Sequence, residues 1–580
     1  MKNNTFKTIK RILNYIYKYK AMFFISLFLA LLIVVGSLLI PIYVGDAIGF
    51  ICEKNKVNFD EIFSILTKLI IIICAVGICQ WLMNILNNKL AFNVTCNLRK
   101  DAFNKIQNLP LDYIDKHPYG EIVSKVQNDI EQLGDGLLMG FTQLFTGIAT
   151  IIGTLICIFI LSPIVAILIL VLTPMSLFVA KFISGKTYSL FKNQASLKAK
   201  QTAFINEIVT NQKIIKSFNQ EEITCQKFAT INNELESVSL NAIFYSSLTN
   251  PCTRFVNSVI YAIVVICGSV LVMKSTNNAL DVGNLSTLLY YANQYAKPFN
   301  EITGVFTEFQ NTLACSQRVF DLLDEEELID TVTSSIDLVK GDIKFENVCF
   351  SYNKNQKLIE NLNLNVSQGQ KVAIVGPTGC GKTTLINLLM RFYDVNTGKI
   401  CLDNINIKDL KRENLRQNFG MVLQETFLKS GTIKDNIIIG KPNATMEEII
   451  TASKNAHSFD FIKKLPQGFD TVVTENGQNL SQGERQLLCI TRVMLSLPPL
   501  LILDEATSNI DTRTEMKIQD AFDTLMKNKT SFIVAHRLST IQNVDLILVM
   551  KDGNIIEQGN HTELLKKQGF YYELYNSQYK

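Results

Sequence analysis

The sequence predicts a two-part membrane protein. An all-α domain of six membrane-spanning helices comes first, and an α/β domain built around a phosphate-binding loop follows. Three observations support this. Up to about Lys340 the chain holds long apolar runs with few charges, and beyond it the composition is that of a soluble protein. The stretch Gly376-Pro-Thr-Gly-Cys-Gly-Lys382-Thr383-Thr384 has the G-x-x-x-x-G-K-[ST] spacing that cradles phosphate. At 580 residues the chain is also too long for one core.

The N-terminus has no short apolar core followed by small residues, so it does not read as a cleavable signal. Within residues 1–20, Phe6, Ile9, Ile12, Leu13 and Ile16 recur at helical spacing between Lys7, Lys10, Arg11 and Lys18. This is the pattern of an amphipathic helix on a membrane surface. A span needs about 20 mainly apolar residues. Ala21–Tyr43, Phe63–Leu86, Leu137–Leu161, Pro163–Ile183 and Phe255–Met273 qualify, and the third and fourth form a hairpin with almost no connection.

The sixth candidate, Leu285–Leu313, carries Gln294, Lys297, Pro298, Glu301 and Glu308. Parity argues for it. The basic N-terminus belongs in the cytosol by the positive-inside rule, the phosphate-binding domain must also be cytosolic, and only an even number of spans satisfies both. Segments 88–134 and 186–240 are long and rich in Lys and Arg, whereas the opposite loops near 46–60, 161–163 and 274–284 are short. Polar residues inside a span usually face a bundle interior or a wet cavity, which makes Tyr290, Tyr291, Gln294 and Tyr295 candidates to line a substrate path. Lys297 and Glu301 stand four residues apart and suit a structural ion pair.

The polar run from Glu325 to Ser335 breaks helical periodicity and marks the domain boundary. The expected division is residues 1–20 surface helix, 21–322 membrane domain, 323–340 linker and 341–580 phosphate-binding domain. A net charge of +4 argues against nucleic-acid binding. The thirteen cysteines include no C-x-x-C pair, so neither a zinc site nor a disulfide framework is expected. Cys380, inside the phosphate loop, is either a thiol whose modification would block binding or a tolerated small residue.

Lys371–Val375 reads as a buried strand feeding the loop, and Thr383–Phe392 as the helix after it. Gly376, Gly379 and Gly381 let backbone N–H groups close on phosphates at a helix N-terminus, with Thr378, Cys380 and Thr384 completing the cradle. Lys382 supplies a charge to the terminal phosphates and Thr383 a hydroxyl for Mg²⁺. Leu480-Ser-Gln-Gly-Glu484 follows, then the apolar strand Leu500-Leu-Ile-Leu-Asp504-Glu505, where Asp504 is placed to hold the metal.

These three motifs in this order resemble those of an ATP-binding cassette (ABC) transporter subunit. The long loops between spans two and three and between four and five resemble the exporter type, whose coupling helices would fall at Asp115–Val126 and Glu207–Ser217. The resemblance implies further roles: Glu505 as catalytic base, His536 as the γ-phosphate switch, Tyr352 stacking on adenine, Gln424 contacting Mg²⁺ and water, and Asp511 in the D-loop. Glu475 resembles an exporter contact to a coupling helix. Ser481 and Gly483 of one cassette would cap the γ-phosphate held by another. Gln482 and Glu484 depart from the common Leu-Ser-Gly-Gly-Gln.

One cassette and six spans make half a machine. The expected protein is an ATPase in the plasma membrane that exports a small amphipathic compound, whether drug, lipid or peptide. The run from Ala506 to Asp511 and the C-terminal Gly569–Tyr579 resemble the Glu-bearing subunit of heterodimeric bacterial multidrug exporters, so a second half-transporter is the expected partner. A homodimeric, flippase-like exporter and an ATP-gated channel or sensor are the alternatives.

Overall fold

The computed structural model describes residues 2–52, 59–274, 282–328, 330, 334–336, 338–353, 358–423, 426–474, 477–505, 510–535 and 541–578. Two compact units divide near Glu325/Glu326, and residues 108–117 group with the second unit.

The first unit is helical. α1 (Lys2–Tyr17) buries Thr8, Ile12 and Ile16 and exposes Phe6, Leu13 and Tyr17. The long helices α2 (Lys20–Cys52) and α3 (Phe59–Asn108) follow. After α4 (Leu111–Lys116), one helical run is made of α5 (Tyr119–Ser124), α6 (Ile130–Met139) and α7 (Phe145–Leu161), joined by π-helical turns at Lys125–Asp129 and Gly140–Leu144. Ser162 alone, in extended conformation, separates α7 from α8 (Pro163–Thr210), whose first residue is a proline that needs no helical partner for its nitrogen. α9 (Gln212–Ser217), α10 (Glu221–Lys274) and α11 (Val282–Asp324) complete the unit. The helices outrun the spans read from hydropathy because their polar ends remain helical beyond the apolar stretch.

Among the described residues, four helical runs are long and apolar enough to cross a membrane: Lys20–Ile51, Phe59–Asn108, Tyr119–Leu161 and Glu221–Met273. In α8 the described apolar stretch is Pro163–Met175. α11 carries the polar residues that set it apart in the sequence. It packs closely on α2, where a Cβ on Gly283 would lie 2.3 Å from the Gly45 carbonyl oxygen. Pro41 removes a backbone donor inside α2. Nearby, the Thr287 hydroxyl donates to the Pro41 carbonyl at 3.0 Å and the Tyr291 hydroxyl to the Leu38 carbonyl.

That packing revises one expectation. Tyr291 and Tyr295 lie buried in a helix-helix core, not on an open path, because the hydroxyl of Tyr291 is committed to a backbone carbonyl of α2. Tyr290 is exposed and Gln294 half-buried. The side chain of Glu301 lies outside the described residues, so the pair with Lys297 does too.

The second unit contains α4 and the α/β domain. An antiparallel sheet runs in the order β2 (Ile359–Val366), β1 (Ile343–Phe350), β4 (Thr397–Leu402), β5 (Ile405–Asn406). A six-stranded sheet has the order β12, β11, β3, β10, β9, β6 and is parallel except for β12. Its strands are β3 (Lys371–Val375), β6 (Phe419–Val422), β9 (Leu500–Glu505), β10 (Thr530–Ala535), β11 (Leu546–Lys551) and β12 (Asn554–Gly559). The central strands read as continuous apolar runs because both faces are covered. One face packs on the antiparallel sheet and α12 (Lys382–Leu389), and the other on helices that include α17 (Gln482–Ser496) and α18 (Thr512–Met526).

The expected coupling segment Asp115–Val126 is not a single element. The short helix α4 begins four residues before Asp115, and Tyr119 already starts the next helical run. Pro110 precedes α4 and Pro118 precedes α5, and each proline biases the residue before it away from helix. α9 falls inside the second expected segment.

Candidate functional site

Parallel strands bring their C-terminal ends to one edge of a sheet, and ligands of α/β folds bind there. β3 ends at Val375 and passes directly into the loop 376–381. In the neighbouring strands Val534 pairs with both Ile374 and Asp504, and Ala535 pairs with Glu505. Register alone therefore places the loop, Asp504 and Glu505 at the same edge. His536 is the next residue after β10, and Gln424 lies two beyond Val422, the last residue of β6. Gln424, Glu475, His536 and the side chain of Glu505 lie outside the described residues.

The loop is shaped by its glycines and by what presses on it. Gly379 and Gly381 have φ of +84° and +102°, in the region that favours glycine. A Cβ on Gly376 would stand 2.2 Å from the Met550 carbonyl oxygen. Lys382 opens α12, and its ammonium donates to the carbonyls of Gly376 at 2.8 Å and Pro377 at 3.0 Å, so the charge is held across the loop. A cleft of about 410 Å³ is lined by Tyr352, Thr378, Gly379, Gly381, Lys382, Thr383, Thr384 and Asp504, among others. Glycine loop, cation and aromatic ring thus share one cavity. The Thr383 hydroxyl and the Asp504 carboxylate are hard oxygen donors on the same cleft, a donor set that suits Mg²⁺.

Cys380 is 3 % exposed, and its thiol packs in the core beneath the loop, 4.0 Å from the Lys382 ammonium. Burial raises its pKa, and the partial opposition of Lys382 does not reverse that. A thiol held protonated near neutral pH reacts slowly. We therefore expect maleimide to label the exposed Cys96 and Cys225 at least about tenfold faster than Cys380, as followed by peptide mass spectrometry.

Ser481, Gly483 and Asp511 do not line this cleft. Ser481 caps α17: its hydroxyl accepts from the Glu484 N–H at 3.3 Å, and the Glu484 carboxylate accepts from the Ser481 N–H at 2.8 Å. The departure at Glu484 thus completes a capping box. Gly483 packs on α18, where a Cβ would meet Thr514 Cγ2 at 2.4 Å. Asp511 caps α18 through the Thr514 N–H at 2.9 Å. That backbone hydrogen bond, with the Thr514 side chain, lowers its pKa.

Tyr352 stands over the start of α12, with its hydroxyl 3.2 Å from Thr384 Oγ1 and 3.4 Å from Asn387 Nδ2. One residue that the sequence reading missed adjoins it. Tyr393 meets Tyr352 edge to face at 5.0 Å, and its hydroxyl donates to Asp115 on α4. The turn after α12 also has its own brace, with Asp394 bridged to Arg391 at 3.1 Å and to Arg412 at 3.0 Å. The only local signal was an aromatic pair, Phe392-Tyr393, just past a helix end. The missing information was that Asp115 approaches it across 278 residues of chain.

Comparison with known proteins gives the class. Residues 23–299 match the family model of the ABC transporter transmembrane region, and residues 359–508 match the ABC transporter family model. An uncharacterised ABC transporter ATP-binding protein of Bacillus subtilis is 35 % identical over 99 % of this chain and 94 % of its own length. A fatty acid ABC transporter ATP-binding/permease protein of Mycobacterium bovis is 37 % identical over 89 % of this chain and 82 % of its own. A putative multidrug export ATP-binding/permease protein of Staphylococcus aureus is 34 % identical over 98 % of this chain and all of its own length, 100 %.

The chain belongs to the ABC transporter family. It is a half-transporter of the exporter type, a multi-pass membrane protein whose ATPase drives transport and which works as a dimer in a lipid bilayer.

Proposed function

We propose that this chain is the catalytic-glutamate half of a heterodimeric exporter in the plasma membrane, moving a small amphipathic compound outward across six spans per subunit. The observation that carries the ATPase half of this reading is the convergence of the phosphate loop, Lys382, Thr383 and Asp504 on one cleft, with Ser481 and Gly483 lying elsewhere on the cassette. A nucleotide held in that cleft needs a second cassette to supply the capping signature.

In this mechanism Tyr352 stacks on adenine and the loop N–H groups with Lys382 bind the phosphates. Thr383, Asp504 and Gln424 would hold Mg²⁺, which when bound neutralises phosphate charge. Glu505 orients and deprotonates the attacking water, and His536 contacts the γ-phosphate. Binding closes the paired cassettes, and hydrolysis with product release reopens them, shifting the membrane helices between two access states.

A fatty acid transporter and a multidrug exporter among the relatives favour lipid-like or drug-like cargo. Inside-out vesicles containing the assembled transporter should take up ethidium or a fluorescent fatty acid only with ATP and Mg²⁺. Failure of ATP to drive uptake of either probe would count against exporter function for these classes. Purified alone, the chain should show no more than about a tenth of the ATP turnover it shows with its partner. Full turnover in a stable homodimer would replace the heterodimer.

A further inference from the structure

We propose that Tyr393 is a positioning residue that relays occupancy of the adenine platform to α4, and so to the membrane helix α3 that runs into it. The inference rests on the reading of Tyr352 as the adenine platform and extends it to Tyr393, which has no assigned role.

Several observations carry it. Tyr393 touches both aromatic residues at the platform, with ring centroids 5.0 Å from Tyr352 and 5.7 Å from Phe350. Its hydroxyl donates to the Asp115 carboxylate on α4, a charge-assisted bond of the stronger kind. Burial first, then that hydrogen bond, hold the phenol above the usual tyrosine range, so it stays a donor at neutral pH.

The turn that presents Tyr393 is also anchored. Arg412 bridges Asp394 at 3.0 Å and Asp330 at 2.7 Å, and Arg391 hydrogen-bonds the carbonyls of Ile407 at 3.1 Å and Leu410 at 2.7 Å. A tyrosine braced in this way cannot yield locally when its aromatic neighbour is pressed. Finally, the chain just before α4 is anchored as well, because the Leu328 N–H donates at 2.9 Å to the carbonyl of Asn108, the last residue of α3. An edge-to-face contact constrains both tilt and distance. A base stacking on Tyr352 therefore biases the ring that holds Asp115.

The test uses the complete transporter in nanodiscs. Trinitrophenyl-ATP measures nucleotide affinity, and hydrogen-deuterium exchange is followed in peptides covering α12 and α4 with and without ATP. In the parent, ATP slows exchange in both. In Tyr393→Phe, which keeps the ring and loses the hydroxyl, affinity should stay within about twofold and α12 should remain protected. The ATP-dependent slowing at α4 should fall by about tenfold, within the usual range of coupling between sites.

Asp115→Asn should give the same loss, and the double variant no further loss. Equal α4 protection in Tyr393→Phe and parent would overturn the relay, as would fully additive effects of the two substitutions. Tyr352→Ala tests the platform separately. Unchanged nucleotide affinity in that variant would overturn the adenine reading itself, a result distinguishable from an inert Tyr393.

Discussion

Replacing Glu505 by glutamine is expected to leave ATP binding intact while lowering turnover by at least about a hundredfold, the contribution of a positioned general base. The backbone explains the position. Glu505 ends β9 one residue after Asp504, and its register partner Ala535 is the last residue of β10. It therefore stands at the sheet edge where the phosphate loop begins. Glutamine keeps the size and the hydrogen-bonding capacity but cannot accept a proton from water. The measurement is phosphate release beside trinitrophenyl-ATP binding in the assembled transporter. Normal turnover with normal binding would remove Glu505 from its proposed role.

The second large effect is expected far from any sequence motif. Gly553 has φ of +83°, its N–H donates to the Cys380 carbonyl at 3.1 Å, and a Cβ there would lie 1.3 Å from the Leu358 carbonyl oxygen. Alanine cannot fit unless the turn between β11 and β12 moves away, and moving it releases the back of the phosphate loop. We expect Gly553→Ala to destabilise the cassette by about 4 kcal/mol or more, in the class of strained-backbone and core-overlap substitutions. Nucleotide affinity should fall with it. Thermal unfolding of the purified transporter with and without ATP reads both. A melting temperature and an ATP-induced shift equal to the parent's would show that the turn and the loop are not linked in this way.

Legibility in the sequence followed the range of the interaction. The glycine loop, the acid ending β9 and the signature were readable because each is a local pattern: glycines for backbone closeness, an apolar strand ending in an acid, a hydroxyl at a helix start. Glu484 was readable only as a departure. In the structure its carboxylate, three residues after Ser481, closes a capping box, which a glutamine at that position would also close. The polar sixth helix was harder. Its tyrosines carry the same sequence signal whether they line a path or bury a hydroxyl, and in α11 Tyr291 does the latter against a carbonyl of α2.

The sequence by itself determined the class of chemistry and the order of parts, because motif spacing and apolar run length are properties of neighbouring residues. Only the tertiary structure decided what these side chains touch within the chain. It turns the Cys380 thiol into the core, uses Ser481 and Asp511 as helix caps, and brings Tyr393 to Asp115 across 278 residues. Those outcomes depend on how sheets and helices pack against one another. Packing is a sum over partners distant in the chain, which no local pattern encodes.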